Sequence, residues 1–254
     1  VTQPDLRISA AELLASADRL LPEYRAAIEP IPPKERGRGI YSSEMFFFYC
    51  IVQPLRPRQI LESGRARGGS TLTLAHCFPS TRIISIEFDQ ASPNAQVALK
   101  KLSAHRHVEC LFGDSRELLP KYLEPGDPIL IDGPKEFRAL KLALALLRSG
   151  KPRVVFLHDM GAGSPARRFL DRRWPGAIFS DDPEFLRRFS SLDDEGRAPR
   201  DWRRPRSTTM ACLPATLPDS YEKLLAKIVL SRATSLAPRK IGGFVAQLLK
   251  RRYC

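Results

Sequence analysis

The chain lacks any uninterrupted apolar run approaching the roughly 18 residues that a membrane-spanning helix needs, which excludes the integral helical membrane class. Cysteine is sparse. Cys50, Cys77, Cys110, Cys212 and Cys254 are an odd number without C-x-x-C spacing, which argues against a disulfide framework or a structural zinc site. Reduced thiols are the expectation. The opening residues Val1-Thr2-Gln3-Pro4-Asp5 hold neither an apolar h-region nor a small-residue cleavage site, so the expected location is cytoplasmic. No internal repeat is visible.

What the chain has in excess is positive charge, a formal +13 over 254 residues. From Arg197 to Cys254 thirteen Lys or Arg stand against three acidic residues, so this stretch carries +10 of the total. Arginines cluster around Trp202 between Arg200 and Arg206, and Lys250-Arg251-Arg252 follows the apolar run Ile241–Leu249. The first expectation for such a tail is a solvated helix face packed on the domain. A peripheral contact with an anionic membrane surface, or with nucleic-acid phosphates, is the alternative.

Ser9-Ala10-Ala11-Glu12 has the form of a capping box, and Leu13, Leu14, Ala17, Leu20 and Leu21 follow at helical spacing, predicting a helix to about Ala27. Ser42-Ser43-Glu44 opens a second helix through Tyr49, which Pro54 stops. Short β-branched runs then appear at Gln59–Leu61, Arg82–Ile86, His107–Leu111, Pro128–Ile131 and Arg153–Leu157. Segments of helical character lie between them: Ser70–Cys77, Pro93–Ser103, Ser115–Tyr122 and Phe137–Leu147. Such alternation builds a parallel sheet with helices on both faces, because the crossovers are right-handed. Beyond Asp159 the pattern predicts a helix around Phe169–Trp174, short strands at Ala177–Phe179 and Thr208–Leu213 with an irregular loop between them, and helices at Asp219–Leu230 and Ile241–Leu249. The chain thus divides into an N-terminal helical extension (1–54), an α/β Rossmann-like domain with a doubly wound, mainly parallel sheet (55–215), and a basic helical tail (216–254).

The first strand runs into Glu62-Ser63-Gly64-Arg65-Ala66-Arg67-Gly68-Gly69-Ser70. Glycines at a strand-to-helix turn let the backbone approach a ligand, and the following helix points its free N–H groups at it. The dinucleotide fingerprint G-x-G-x-x-G is not met, since Ala66 stands at its second glycine, which disfavours NAD or FAD. Glu87, at the tip of the second strand, is placed to accept hydrogen bonds from a ribose diol. Asp132, Lys135, His158 and Asp159 fall at the ends of adjacent predicted strands, over the same crevice. His158 suits a general base near neutral pH, with Asp132 or Asp159 orienting its ring. His76, His105 and His107 are assigned no role.

Taken in order, these segments resemble the class I S-adenosylmethionine-dependent methyltransferases, in the branch of small-molecule O-methyltransferase-like, family 24 and cephalosporin-hydroxylase-like proteins. Ile60–Thr71 is similar to their first motif, which implies cofactor contacts from Glu62, Gly64, Gly68 and Ser70. Ile84–Asp89 is similar to the second, with Glu87 at the ribose position, and Phe112-Gly113-Asp114-Ser115 to the third, whose acidic residue and neighbour flank the adenine. Ile131-Asp132-Gly133 resembles the fourth, and Phe156-Leu157-His158-Asp159 the His-Asp pair after the fifth strand. The resemblance spans Gln59 to Phe169. It implies methyl transfer from S-adenosylmethionine to oxygen or nitrogen of a small-molecule or glycan-like acceptor, with catalytic groups among His158, Asp132, Lys135 and Asp159. In catechol-type relatives a similar Asp-x-x-Lys and Asp-Asn hold Mg2+. Here Asp132 and Asp159 fit, but Met160 replaces the asparagine, and a thioether is a poor ligand for a hard cation, so the metal is the weaker expectation. The alternatives are an RNA methyltransferase, a non-catalytic Rossmann-like scaffold, and an oxygenase-like relative that would need an iron site.

Overall fold

The computed structural model describes residues 9–36, 39–194 and 209–232. The tail segments Arg200–Arg206, Ile241–Leu249 and Lys250–Arg252, with Cys254, lie outside the described residues, and so do the membrane and nucleic-acid readings placed on them.

Two helices come first, α1 (Ala10–Ile28) and α2 (Ser42–Val52). Ser9 caps α1 through the expected box, its hydroxyl accepting from Glu12 N–H while the Glu12 carboxylate accepts from Ser9 N–H. Every residue of α2 is buried, as expected of a helix that is apolar all round. The chain then alternates: β1 (Gln59–Ser63), α3 (Gly69–Cys77), β2 (Arg82–Glu87), α4 (Pro93–Leu102), β3 (Val108–Phe112), α5 (Ser115–Tyr122), β4 (Pro128–Ile131), α6 (Phe137–Arg148) and β5 (Val154–Leu157). After β5 come α7 (Pro165–Arg173), β6 (Ile178–Phe179), α8 (Pro183–Phe189), β7 (Ala211–Pro214) and helical backbone over residues 221–232.

Among the described residues one sheet forms, in the order β3-β2-β1-β4-β5-β7-β6. The pairs β1–β2, β1–β4, β2–β3 and β4–β5 are parallel, whereas β7 runs antiparallel to both β5 and β6. This is the expected Rossmann-like, doubly wound sheet, with the order turning back beside β1, where such sheets open a crevice at the carboxyl ends of their strands.

Alternate strand residues feed two cores. Ile60, Ile83, Leu130 and Phe156 join the face covered by α1, α2, α3 and α8, where Phe46 meets Phe189 edge-on at 5.1 Å and Phe48 lies 4.5 Å from Phe156. Leu61, Ile84, Ile129 and Val155 join the opposite face with Leu140, Leu144, Phe169, Trp174, Leu224 and Ile228. Ile129–Ile131 and Val154–Leu157 are buried throughout, as a strand covered on both sides requires.

One segment corrects the sequence reading. The stretch after Phe179 is not all irregular: Asp182 caps α8, accepting from Glu184 N–H and Phe185 N–H, and Pro183 sits at its first position. Phe185, Leu186 and Phe189 then face the core.

Candidate active site at the strand ends

The turn between β1 and α3 is built from inside. Glu62 is fully buried and accepts hydrogen bonds from the hydroxyls of Ser70, Thr71 and Ser85. Burial holds its carboxyl above the usual range. Ser63 donates to the Gly133 carbonyl and lies 2.6 Å from the Ser115 hydroxyl. Gly64 has φ +91°, and a Cβ there would lie 2.6 Å from Gly133 N and 2.8 Å from Asp132 C. This glycine therefore lets the β1 turn lie against the β4 turn. Gly68, at φ +73°, caps α3, and a Cβ on it would press on Ala98 and Leu102. Between the two glycines Ala66 also adopts a left-handed φ, +44°.

Arg65 turns inward and is 1% exposed. Its Nη1 donates to the Ser85 carbonyl and its guanidinium lies over the Phe112 ring at 4.8 Å, while Nε and Nη2 have no partner among the described residues. Arg67 reaches Asn94 Oδ1 at 3.3 Å. Neither guanidinium is paired with Glu62.

At the tips of β2 and β3 stand the expected nucleoside contacts. Glu87 accepts from Ala66 N–H at 2.6 Å through one oxygen and from Phe88 N–H at 2.8 Å through the other. Each oxygen keeps a second lone-pair direction. Phe88 beside it is 74% exposed. Asp114 caps α5 and pairs with Arg116, which lowers its carboxyl; Ser115 is buried against Ser63.

The ends of β4 and β5 bring Asp132, Lys135, His158 and Asp159 together as the sequence predicts, and the structure adds Glu44 from α2. Asp132 Oδ1 accepts from the Lys135 ammonium and, at 2.6 Å, from His158 Nδ1–H. Lys135 also pairs with Asp159 Oδ2 at 2.6 Å. On the far side of the imidazole, Nε2–H faces Glu44 Oε2 at 3.3 Å. Burial alone would pull His158 down, but Asp132 and Glu44 outweigh it and push the imidazole up to about 10. Lys135, despite its own burial, is likewise raised by Asp132 and Asp159, and these cations outweigh the burial of Asp132 and lower it. The group thus gathers three acidic side chains, Asp132, Asp159 and Glu44, around Lys135 and His158.

Both ring nitrogens of His158 therefore face carboxylates, Asp132 on one side and Glu44 on the other. In the sequence Ser42-Ser43-Glu44 reads as a helix start, and nothing in that pattern points Glu44 at a strand end. Its one distinguishing signal is that it is the one acidic residue in a helix otherwise made of Ser, apolar and aromatic residues.

The donor set suits the adenosyl cofactor that the motifs imply. Glu87 retains acceptor capacity for a diol, Phe88 offers an exposed ring beside it, and Asp132 and Asp159 set two carboxylates at the β4–β5 edge, the charge sign that a sulfonium favours. Of the two arginines of the turn, Arg65 lies beneath it, and Arg67, half-buried, reaches aside to Asn94. A divalent cation fits less well. Asp132, His158 and Asp159 bring ligand atoms within 4.8 Å of one another, but the Lys135 ammonium already bridges the two carboxylates. Met160 is buried in the core, away from any ligand role.

The fold and the site together define a Rossmann-like protein with polar and charged side chains gathered at the carboxyl ends of its parallel strands. No protein-family model matches the chain, and no curated protein matches it. Solved structures to which it is similar include cofactor-bound Rv0187 from MTB, 21% identical over 79% of this chain and 87% of that one at a TM-score of 0.46. The O-methyltransferase TomG from Streptomyces achromogenes, in complex with SAM, is 17% identical over 82% and 91%, also at 0.46. An O-methyltransferase from Bacillus cereus in complex with SAH is 19% identical over 78% and 90%, again at 0.46.

Proposed function

We propose that this chain is an S-adenosylmethionine-dependent methyltransferase acting on oxygen or nitrogen of a small-molecule or glycan-like acceptor. The observation that carries the reading is the juxtaposition, at the carboxyl edge of one sheet, of the Glu87 tip with the Asp132, Lys135, His158 and Asp159 group. Bound there, the cofactor supplies a methyl group on a sulfonium. The chain's own residues do the rest. Glu87 holds the ribose diol, and Asp114 with Ser115 borders the base. Glu62 and Ser70 act from below, by fixing the turn that carries Gly64 and Gly68, without touching the ligand.

On the acceptor side, Lys135 and Asp159 are the most exposed members of the group, at 48% and 32% of their side chains. The ammonium is placed to hold an acceptor oxygen and lower the cost of its lost proton, with Asp159, the more exposed of its two carboxylate partners, to take it. Asp132 is oriented by two cations and serves as a fixed acceptor. His158 is the buried strut behind it. Aligning the reacting atoms is the main contribution asked of such a site.

The test is calorimetric titration with S-adenosylmethionine and S-adenosylhomocysteine. Micromolar binding by the intact protein, weakened at least tenfold in Glu87→Ala, is the expected result, a loss of about 1.4 kcal/mol or more. Absence of binding by the intact protein overturns the reading and leaves a Rossmann-like scaffold.

A further inference from the structure

The N-terminal helices cover one face of the sheet, and one residue of theirs reaches the site itself. Glu44 is 1% exposed, and its Oε2 takes two donors, Tyr41 N–H at 2.8 Å and His158 Nε2–H at 3.3 Å. The first bond belongs to the capping box of α2, so the carboxylate is held by its own helix start. That start is in turn pinned from α8's side of the core, where Asp193 accepts from both Ser43 N–H and Ser43 Oγ–H at 2.8 Å. Through His158, Glu44 meets Asp132: Nδ1–H donates to Asp132 Oδ1 at 2.6 Å, and Lys135 donates to the same oxygen. Among the described residues no donor reaches Asp132 Oδ2.

We infer that Glu44 is a positioning residue of the site, clamping the His158 ring between two carboxylates and thereby setting which Asp132 oxygen is offered to the ligand. This rests on the reading of the strand-end crevice as the ligand site. An imidazole with a single partner can swing about its side-chain torsions, whereas one bonded at both nitrogens has its plane fixed. The groups facing the ring are Glu44 from α2, Asp132 and Lys135 from the β4 end and Asp159 beside it. Among the described residues Glu44 is the group bonded on the Nε2 side. Without it that N–H is buried and unpaired, which costs as much as the lost bond and favours ring rotation away from Asp132.

The test uses the full chain, labelled with 15N, and compares Glu44→Ala with Glu44→Gln, whose amide oxygen can still accept from Nε2–H. In the unaltered protein, His158 should show two ring N–H protons protected from exchange. Glu44→Ala should lose the Nε2–H signal and bind S-adenosylmethionine about tenfold more weakly. Glu44→Gln should keep the signal and stay within about threefold of the parent. Fewer than two protected ring protons in the unaltered protein overturns the inference, as does a folded Glu44→Ala variant with both signals intact. If the unaltered protein binds no S-adenosylmethionine, the methyltransfer reading fails, while the ring-proton signals still decide the role of Glu44.

Discussion

At the scale of single residues, the β1–α3 turn sets two small side chains against each other. Gly64 and Ala66 both have positive φ, but only Gly64 also faces backbone at 2.6 Å. Gly64→Ala must therefore push the β1 and β4 turns apart, and should lower unfolding free energy by about 2 kcal/mol or more. Ala66→Gly acts in the opposite direction. A left-handed alanine costs roughly 1–2 kcal/mol, and glycine returns about 0.5–1 kcal/mol of that as unfolded-chain entropy, so the net gain should be up to about 1 kcal/mol. Denaturant midpoints of the two variants check both signs. The missing second glycine that the sequence shows is thus a local strain at Ala66, with the turn still formed around it. In the same turn Gly68 faces α4, and Ser70 is engaged with Glu62.

At the scale of elements, the parallel core was legible because its strands are short, apolar and separated by helices of clear amphipathic spacing. Val154–Leu157 and Ile129–Ile131 are examples in which composition and burial agree residue by residue. Helix α8 was not read, although Asp182-Pro183-Glu184 carries a cap, a proline at the first position and an acid in the first turn. What obscured it was its length of 7 residues, too short for periodicity to show. Its weight is nonetheless considerable, since Phe185 and Phe189 pack against Phe46 of α2. Asp182→Ala removes an oxygen that serves two backbone donors and should cost about 1–2 kcal/mol, read as a lowered melting temperature. The strand-end group was legible for a different reason: the sheet rule places residues that follow adjacent parallel strands at one edge, whatever their separation in sequence. Glu44 was not, because no such rule connects a helix of the N-terminal layer to a strand end.

At the scale of the whole molecule, the site's charges enter stability through pH. His158 has a folded pKa of about 10 against an ordinary value near 6.5. A raised histidine contributes its stabilisation fully below about pH 6.5 and loses it as pH climbs to about 10. Unfolding free energy should therefore fall across that window, by at most about 1.4 kcal/mol per pH unit from this group, lowering the melting temperature, and a folded His158→Gln variant should show a shallower fall. Melting curves collected at intervals from pH 6 to pH 10 decide it, and equal slopes in the two proteins would remove the histidine from the account. The order of the sheet carries a consequence of another kind. β7 slots between β5 and β6, and β6 has no other strand partner in the sheet. As the chain leaves the ribosome, Val154–Leu157 stands as a bare apolar edge until Ala211–Pro214 has emerged. Unpaired edges of this composition invite pairing between chains. A product ending before Ala211 should accordingly self-associate through β5, and the nascent chain passes through that same vulnerable interval each time it is made.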